Sequence, residues 1–500
     1  MTTARIPGAP IVDGELFSTN PATGEQLDHF AVASTADVVA ALARARVAAA
    51  WWAELGFAGR RERLLRYRSR LANRITELAA LMHRESGKPV AEAIVEVTAA
   101  IEHVAWAAKH AHRVLRLRRI RSSLLQIEYS CRLEYQPFGV IGVIGPWNYP
   151  VLTPMGSIGY ALAAGNAVLF KPSEYSPAVS HWLGEVFAEV VPEQPVLQVL
   201  YGGGEVGAAL CRAGVDKIAF TGSTATGSKV MAACAETLTP VLLECGGKDA
   251  MIVDADADLG AAVSACVWGG LTNAGQTCAG IERVYVVAGV YDEFLRRLTE
   301  RAAQLTVGAG DDADYGPITM PGQLDVIRRH IDDALSRGGR AVLGGPDAVQ
   351  PPYVLPTILV DVPQSSAAMC DETFGPTLTV TRVADADEAV TLANASRYGL
   401  GGAVFSRSRG LELARRLRSG MTSVNSVISF VGMPMLPFGG VGDSGFGRIH
   451  GEDGLREFTR AKAITKRRAP SLLPTLTFDR TAKQIRQVVR IVKLLHGRSR

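Results

Sequence analysis

No two of the seven cysteines stand at CxxC spacing, and their number is odd. That excludes a disulfide-stapled secreted domain and a zinc ribbon. The nine histidines also lack metal-ligand spacing, so no metal site is expected. The opening MTTARIPGAP has none of the basic start, apolar core and cleavage site of a secretory signal, and a reduced, cytoplasmic chain is expected. Internal repeats are missing, as are low-complexity linkers ahead of the tail. Charge is absent from Tyr135 to Phe170, but Pro137, Pro146, Pro150 and Pro154 interrupt that run. In a bilayer such breaks would strand backbone groups without partners, so the run reads as a buried strand, loop and helix and not as a membrane span.

What is present is a long apolar chain. Five hundred residues with 47% hydrophobic content exceed one core and predict two or more domains. The net charge of +4 is unevenly placed: residues 460 to 500 carry twelve Lys and Arg against Asp479, leaving 41 basic and 48 acidic residues elsewhere. Ser34 and Asp37 stand at capping-box spacing before an alanine-rich helix, and helical text continues from Arg60 to about Val114. Beyond it, apolar strand-like runs such as AVLFKPS, KIAFTGS, VLLECGG, DAMIVDA and RVYVVAG alternate with helical text. That alternation predicts an α/β fold with parallel sheets covered on both faces.

Several short motifs carry chemistry, and each also has a bland reading. G-x-G-x-x-G occurs at Gly202, Gly204 and Gly207 and again at Gly440, Gly442 and Gly445, with no acidic residue well placed about twenty residues on. In FTGSTATG a strand ends at Gly222 and Ser223 where a helix begins, which suits a diphosphate or a plain N-cap. KPSE places Lys171 and Glu174 at a strand end, either for ribose hydroxyls or as a solvated loop. LECGGK sets Glu244 in an apolar strand, where desolvation raises a carboxyl pKa; the residue reads as a general base or a structural ion pair. PWNYP holds Asn148 between two prolines, as an oxyanion site or an ordinary turn would. Cys278, in GQTCAG, is by itself more readily a packed small hydrophobe than a nucleophile.

In this order, PWNYP, KPSE, FTGST, ECGGK, GQTC, ETFGP (from 372) and PFGG (from 437) resemble the aldehyde dehydrogenase superfamily, over about Thr35 to Arg460. The resemblance implies a Rossmann-type coenzyme domain (1–116 and 138–246), an α/β catalytic domain (247–445) and a small β oligomerisation extension (117–137 and 446–460), with 461–500 as a basic tail. It implies Cys278 as nucleophile, Asn148 as oxyanion donor and Glu244 as base for thioester hydrolysis. It also implies Lys171 and Glu174 on the adenosine ribose, Gly222 and Ser223 at the diphosphate, Glu372 and Phe374 at the nicotinamide ribose, and Trp147 in the coenzyme cleft. Glu174 favours NAD, with NADP as the alternative.

Cys245 stands where the family usually has Leu, Ala225 where an acidic residue is common, and Tyr149 where many members have Phe. An open apolar tunnel lined in part by Tyr149, Met155 and Phe438 is expected, for aliphatic or aromatic aldehydes. A succinate-semialdehyde-type dehydrogenase is the alternative, and a catalytically silent scaffold a more remote one. A homodimer or homotetramer is implied, and no nucleic acid is expected, because no groove-reading motif accompanies the basic charge. In the tail, Ile485, Val488, Val489, Val492 and Leu495 share a helical face beside Lys483, Arg486, Arg490 and Lys493, as suits either the inner face of a membrane or a docked helix.

Overall fold

The computed structural model describes residues 10–471, 473 and 476–497. The residues read for a secretory signal lie largely outside this range, as do Arg498 and Arg500 of the basic tail. The chain forms two compact units, one of residues 1–114 and 137–458, the other of 115–136 and 459–500.

The larger unit is built on two mostly parallel sheets. In the first, Val140–Ile144 lies between Ala167–Lys171 and Lys217–Gly222, and Val241–Cys245 extends the row, all in parallel. In the second, Ile281–Val287 lies between Asp249–Val253 and Thr377–Val383, again in parallel. Every residue of Val140–Ile144, Ala167–Lys171, Asp249–Val253 and Ile281–Val287 is buried, as continuous apolar strands covered on both faces require. The first sheet's parallel strands end at Cys245 and the second sheet begins at Asp249, so Gly246, Gly247 and Lys248 bridge them.

The helix Thr35–Glu54 opens with the expected capping box between Ser34 and Asp37. The helical text after Arg60 resolves into Gly56–Asn73, Ile75–Ser86 and Val90–Leu115. Gly87 separates the last two as a left-handed C-cap (φ 76°), and a Cβ there would also meet Pro317 at 2.4 Å.

The smaller compact unit resumes at 459, whereas the expected oligomerisation extension takes up the chain at 446. Phe446 pairs with Leu243 at the edge of the first sheet, and Ile449, Leu455 and Phe458 are buried. This apolar text belongs to the core of the larger unit. In the smaller unit, Tyr129–Pro137 pairs with Arg118–Ile120 and with Thr459–Arg467 in a three-stranded sheet. Helix Ala482–His496 follows in the chain.

Candidate active site

Three loops converge on one cleft of about 700 Å³, and each is set by its own sequence. The first follows strand Val140–Ile144, where PWNYP leads into helix Leu152–Ala164. Asn148 is buried; one of its side-chain N–H groups donates to the Gln276 carbonyl at 2.9 Å. Its backbone carbonyl accepts from Lys88 Nζ at 3.0 Å and from Asn273 Nδ2 at 3.1 Å. Lys88 is paired with Glu96, whose other oxygen accepts from the Val151 and Leu152 amides at 2.9 and 3.1 Å. A buried ion pair thus fixes the loop that carries the amide.

The second loop holds Cys278. After helix Leu259–Leu271 the backbone turns left-handed at Asn273 (φ 51°), Ala274 (φ 56°) and Gly275 (φ 70°). For the two non-glycine residues such a conformation costs of order 1–3 kcal/mol each and persists only where the surroundings impose it. Here they do: Gln276 Nε2 donates to the Asn273 carbonyl at 2.9 Å, its Oε1 accepts from the Thr319 amide at 2.9 Å, and the Asn273 amide approaches Glu92 at 3.4 Å. The turn presents Cys278 to the cleft, partly exposed. Desolvation and the Glu244, Glu372 and Asp249 carboxylates push its thiol well above the usual cysteine range, while the Ala279 N–H opposes them.

The third contribution comes from the join of the two sheets. Glu244, next to last in its strand, is buried, and neither carboxylate oxygen has a hydrogen-bond partner of good geometry. Burial first, then the Asp249 charge, raise its pKa to about 8, with Thr221 in register beside it pulling weakly the other way. Glu372 accepts from the Gly247 amide at 3.0 Å, and a Cβ on Gly246 would lie 2.1 Å from its Oε2, so any larger residue there would displace the Glu372 carboxylate. The ETFGP segment is held by Glu282, which accepts from the Thr373 and Phe374 amides and pairs with buried Lys248.

Cys278, Glu244 and Asn148 line the cleft together with Trp147, Lys171, Glu174, Gly222, Ser223, Glu372 and Phe374. Lys171 and Glu174 approach to 3.6 Å, and Trp147 meets Phe374 edge to face with centroids 5.4 Å apart. The cleft also runs between helices Gly204–Arg212 and Thr224–Ala235, and Gly203, Gly204 and Ser223 at their N-termini line it. A Cβ at Gly204 would meet nothing within 4 Å. Two positive helix ends, an open glycine cradle and a Lys–Glu pair fit the diphosphate and ribose of a dinucleotide. The glycine fingerprint at 202–207 therefore contributes to the cleft even without the distant acidic residue. Its second match ends at Gly445, where a Cβ would meet the Leu243 carbonyl at 2.1 Å.

The three tunnel positions do not share this cleft. Met155 is fully buried in the core, its sulfur 4.0 Å from the Tyr67 hydroxyl. Helix Leu152–Ala164 is enclosed on nearly every side, so its sequence marks no single open face; Thr153, and not Met155, lines the cleft. Tyr149 donates or accepts a 2.9 Å hydrogen bond with Thr277, and its ring lies under Lys88 Nζ. Phe438 is buried beside Phe430 and His450. Cys245 packs toward Gly227, where a Cβ would sit 2.9 Å from its sulfur, and burial pushes its thiol up to about 12.

The profile of the Aldehyde dehydrogenase family matches residues 12–464. The chain belongs to the aldehyde dehydrogenase family. This aldehyde dehydrogenase is 37% identical over 448 residues to the 4,4'-diapolycopene aldehyde oxidase of Methylomonas sp., covering 89% of this chain and 84% of that one. It is 35% identical to a Mycobacterium ulcerans protein provisionally named succinate-semialdehyde dehydrogenase (NADP+) 2, covering 95% and 93% of the two. The solved NAD-dependent aldehyde dehydrogenase of Sinorhizobium meliloti superposes with a TM-score of 0.88 at 31% identity, covering 93% of each chain.

The buried ion pairs escaped the sequence reading, although Lys248 lies inside the quoted ECGGK and Glu282 interrupts an apolar strand as Glu244 does. Lys248→Met will leave Glu282 buried without a countercharge. It is expected to destabilise the fold by about 3–5 kcal/mol, read by chemical denaturation, with part of the loss recovered in the Lys248→Met/Glu282→Gln double variant. Equal stability of the single variant and the parent would show the pair to be dispensable.

Proposed function

We propose that this enzyme oxidises apolar aldehydes, aliphatic or aromatic, to carboxylic acids with NAD as preferred coenzyme, through a thiohemiacetal and a thioester on Cys278. The observation that carries the reading is a thiol, a fixed amide and an unpartnered buried carboxyl lining one cleft. In this reading residues 1–116 and 138–246 hold the coenzyme and 247–445 perform the chemistry, in a cytoplasmic homodimer or homotetramer.

Lys171 and Glu174 would hold the adenosine ribose, Gly222, Ser223 and the helix N-termini the diphosphate, and Glu372 with Phe374 the nicotinamide ribose, beside Trp147. The bound nicotinamide supplies a two-electron acceptor. The deprotonated sulfur of Cys278 adds to the aldehyde carbon and converts it to a tetrahedral centre. One N–H of Asn148 is committed to Gln276; the other, with the Cys278 backbone N–H, steadies the oxyanion. After oxidation to the thioester, Glu244 takes a proton from water so that the oxygen attacks the acyl carbon and frees the thiolate. Glu174 beside Lys171 disfavours a 2′-phosphate by charge, hence NAD over NADP.

Apolar substrates are favoured in this reading because Trp147 and Phe374 line the cleft beside Cys278 and Lys88 is committed to Glu96. The similarity to a 4,4'-diapolycopene aldehyde oxidase agrees with this preference. A panel of hexanal, benzaldehyde and succinate semialdehyde, with NAD or NADP and reduced-coenzyme absorbance as readout, tests the reading. The expected result is higher kcat/KM for the apolar aldehydes and for NAD. A preference for succinate semialdehyde would overturn the substrate class, and no turnover of any aldehyde would overturn the activity.

A further inference from the structure

We propose that helix Ala482–His496 lays its apolar stripe into the surface of an anionic lipid bilayer, where the enzyme meets long-chain, lipid-derived aldehydes. The substrate part rests on aldehyde oxidation as the activity; the surface itself does not. Charge is segregated between the two units: residues 115–136 and 459–500 carry seventeen Lys and Arg against three Asp and Glu, while the rest of the chain carries 36 against 46. The basic excess is therefore confined to one small unit.

The helix is locally specified. Thr481 and Gln484 form a reciprocal capping box at its start, and Gly497 follows its last turn. Yet none of its residues is buried, and an isolated helix of fifteen residues is only marginally stable in water. At about 100° per residue, Ile485, Val488, Val489, Val492 and Leu495 fall within an arc of about 120°. Lys483, Arg486, Arg490 and Lys493 occupy a separate arc of about 80°. Just ahead of the helix, Phe478 is 99% exposed.

An apolar stripe flanked by cations is complementary to the boundary between acyl chains and anionic headgroups, where the stripe sinks and the long basic side chains reach the phosphates. Among the described residues no helix is long and apolar enough to cross a membrane. At about 22 Å, this one suits a position along the surface.

The test is flotation of the full-length protein with vesicles of phosphatidylcholine alone or mixed with phosphatidylglycerol. The expected result is recovery with the anionic vesicles only, weakened by high salt as Debye screening demands. Arg486→Gln/Arg490→Gln/Lys493→Gln is expected to lower partitioning on the order of 100-fold, and Ile485→Asp/Val489→Asp/Val492→Asp to abolish it. Both variants should oxidise a soluble short-chain aldehyde at the parent rate, which shows them folded. On a long-chain aldehyde carried in anionic vesicles they should be slower than the parent. No flotation of the parent overturns the proposal. Unchanged flotation of the apolar-stripe variant reduces the contact to simple charge adhesion and also overturns it. So does a fall in oligomer mass of that variant when the parent binds no vesicle, since a second copy then covers the stripe. Flotation does not depend on catalysis, so its failure leaves aldehyde oxidation standing.

Discussion

Cys278→Ala is expected to bind coenzyme with the parent's affinity and to form no reduced coenzyme from any aldehyde, a loss on the order of 10,000-fold or more. The size follows from the chemistry: without the sulfur there is no tetrahedral centre from which a hydride can leave. Of the six other cysteines, Cys211 and Cys245 also line the cleft, and neither is expected to substitute: the hydrogen bond with Cys234 and burial raise the Cys211 thiol. The Cys245 thiol is pushed up to about 12 and packed toward Gly227. Alkylation kinetics supply an independent measure. In the coenzyme-free protein the Cys278 thiol is held protonated by burial and by its carboxylate neighbours, so its modification by iodoacetamide should be slow at neutral pH and accelerate as pH rises. Residual aldehyde oxidation by the alanine variant near the parent rate would assign the chemistry elsewhere.

Glu244→Gln is expected to give one burst of reduced coenzyme and then stall as the acyl-enzyme, with steady turnover lowered by about 100- to 10,000-fold. In the parent, turnover limited by thioester hydrolysis should rise with pH through about 8, where the buried carboxyl ionises, and that rise should vanish in the variant. The same group enters stability. Its folded-state pKa lies above the ordinary 4.5, so its contribution is intact below about 4.5 and is lost as pH rises toward 8 and beyond. Above pH 8 the parent buries an unpaired carboxylate that glutamine does not, and the variant should therefore unfold at a higher temperature there and at a similar one in acid. Removing that charge should also lower the Cys278 pKa and speed its alkylation. Normal steady turnover without a trapped acyl group would remove Glu244 from the role of base.

How much of this was legible in the sequence depended on the kind of signal. Continuous apolar strands separated by glycine turns announced parallel sheets, though not their number, and the capping box at Ser34 placed a helix start correctly. Motifs at strand ends were equally readable, because a polar residue closing an apolar run stands out against its neighbours; Glu244, Lys171 and Ser223 all line the cleft. Periodicity failed where a helix is buried all round. Met155 lies on a helix with scarcely any solvent face, so spacing gave no direction to its side chain. The smaller unit resumes at 459, where the buried text through Thr459 gives way to exposed Arg460, and such a change of burial is not written in the local text. Lys88 and Glu96 are near neighbours across the start of helix Val90–Leu115, but the Asn148 loop they hold is brought beside them only by the tertiary fold.

The left-handed turn at Asn273–Gly275 has a mechanical side. A Cβ on Gly275 would lie 2.1 Å from the Gly375 carbonyl, so the Cys278 loop is seated directly on the backbone of the segment that carries Glu372 and Phe374. No side chain cushions that contact. The two loops are in effect one rigid part with two working ends, one carrying sulfur and the other facing the coenzyme cleft. Wear at either end would therefore register at the other: a substitution that tilts the Glu372 segment misaligns Cys278 without touching it.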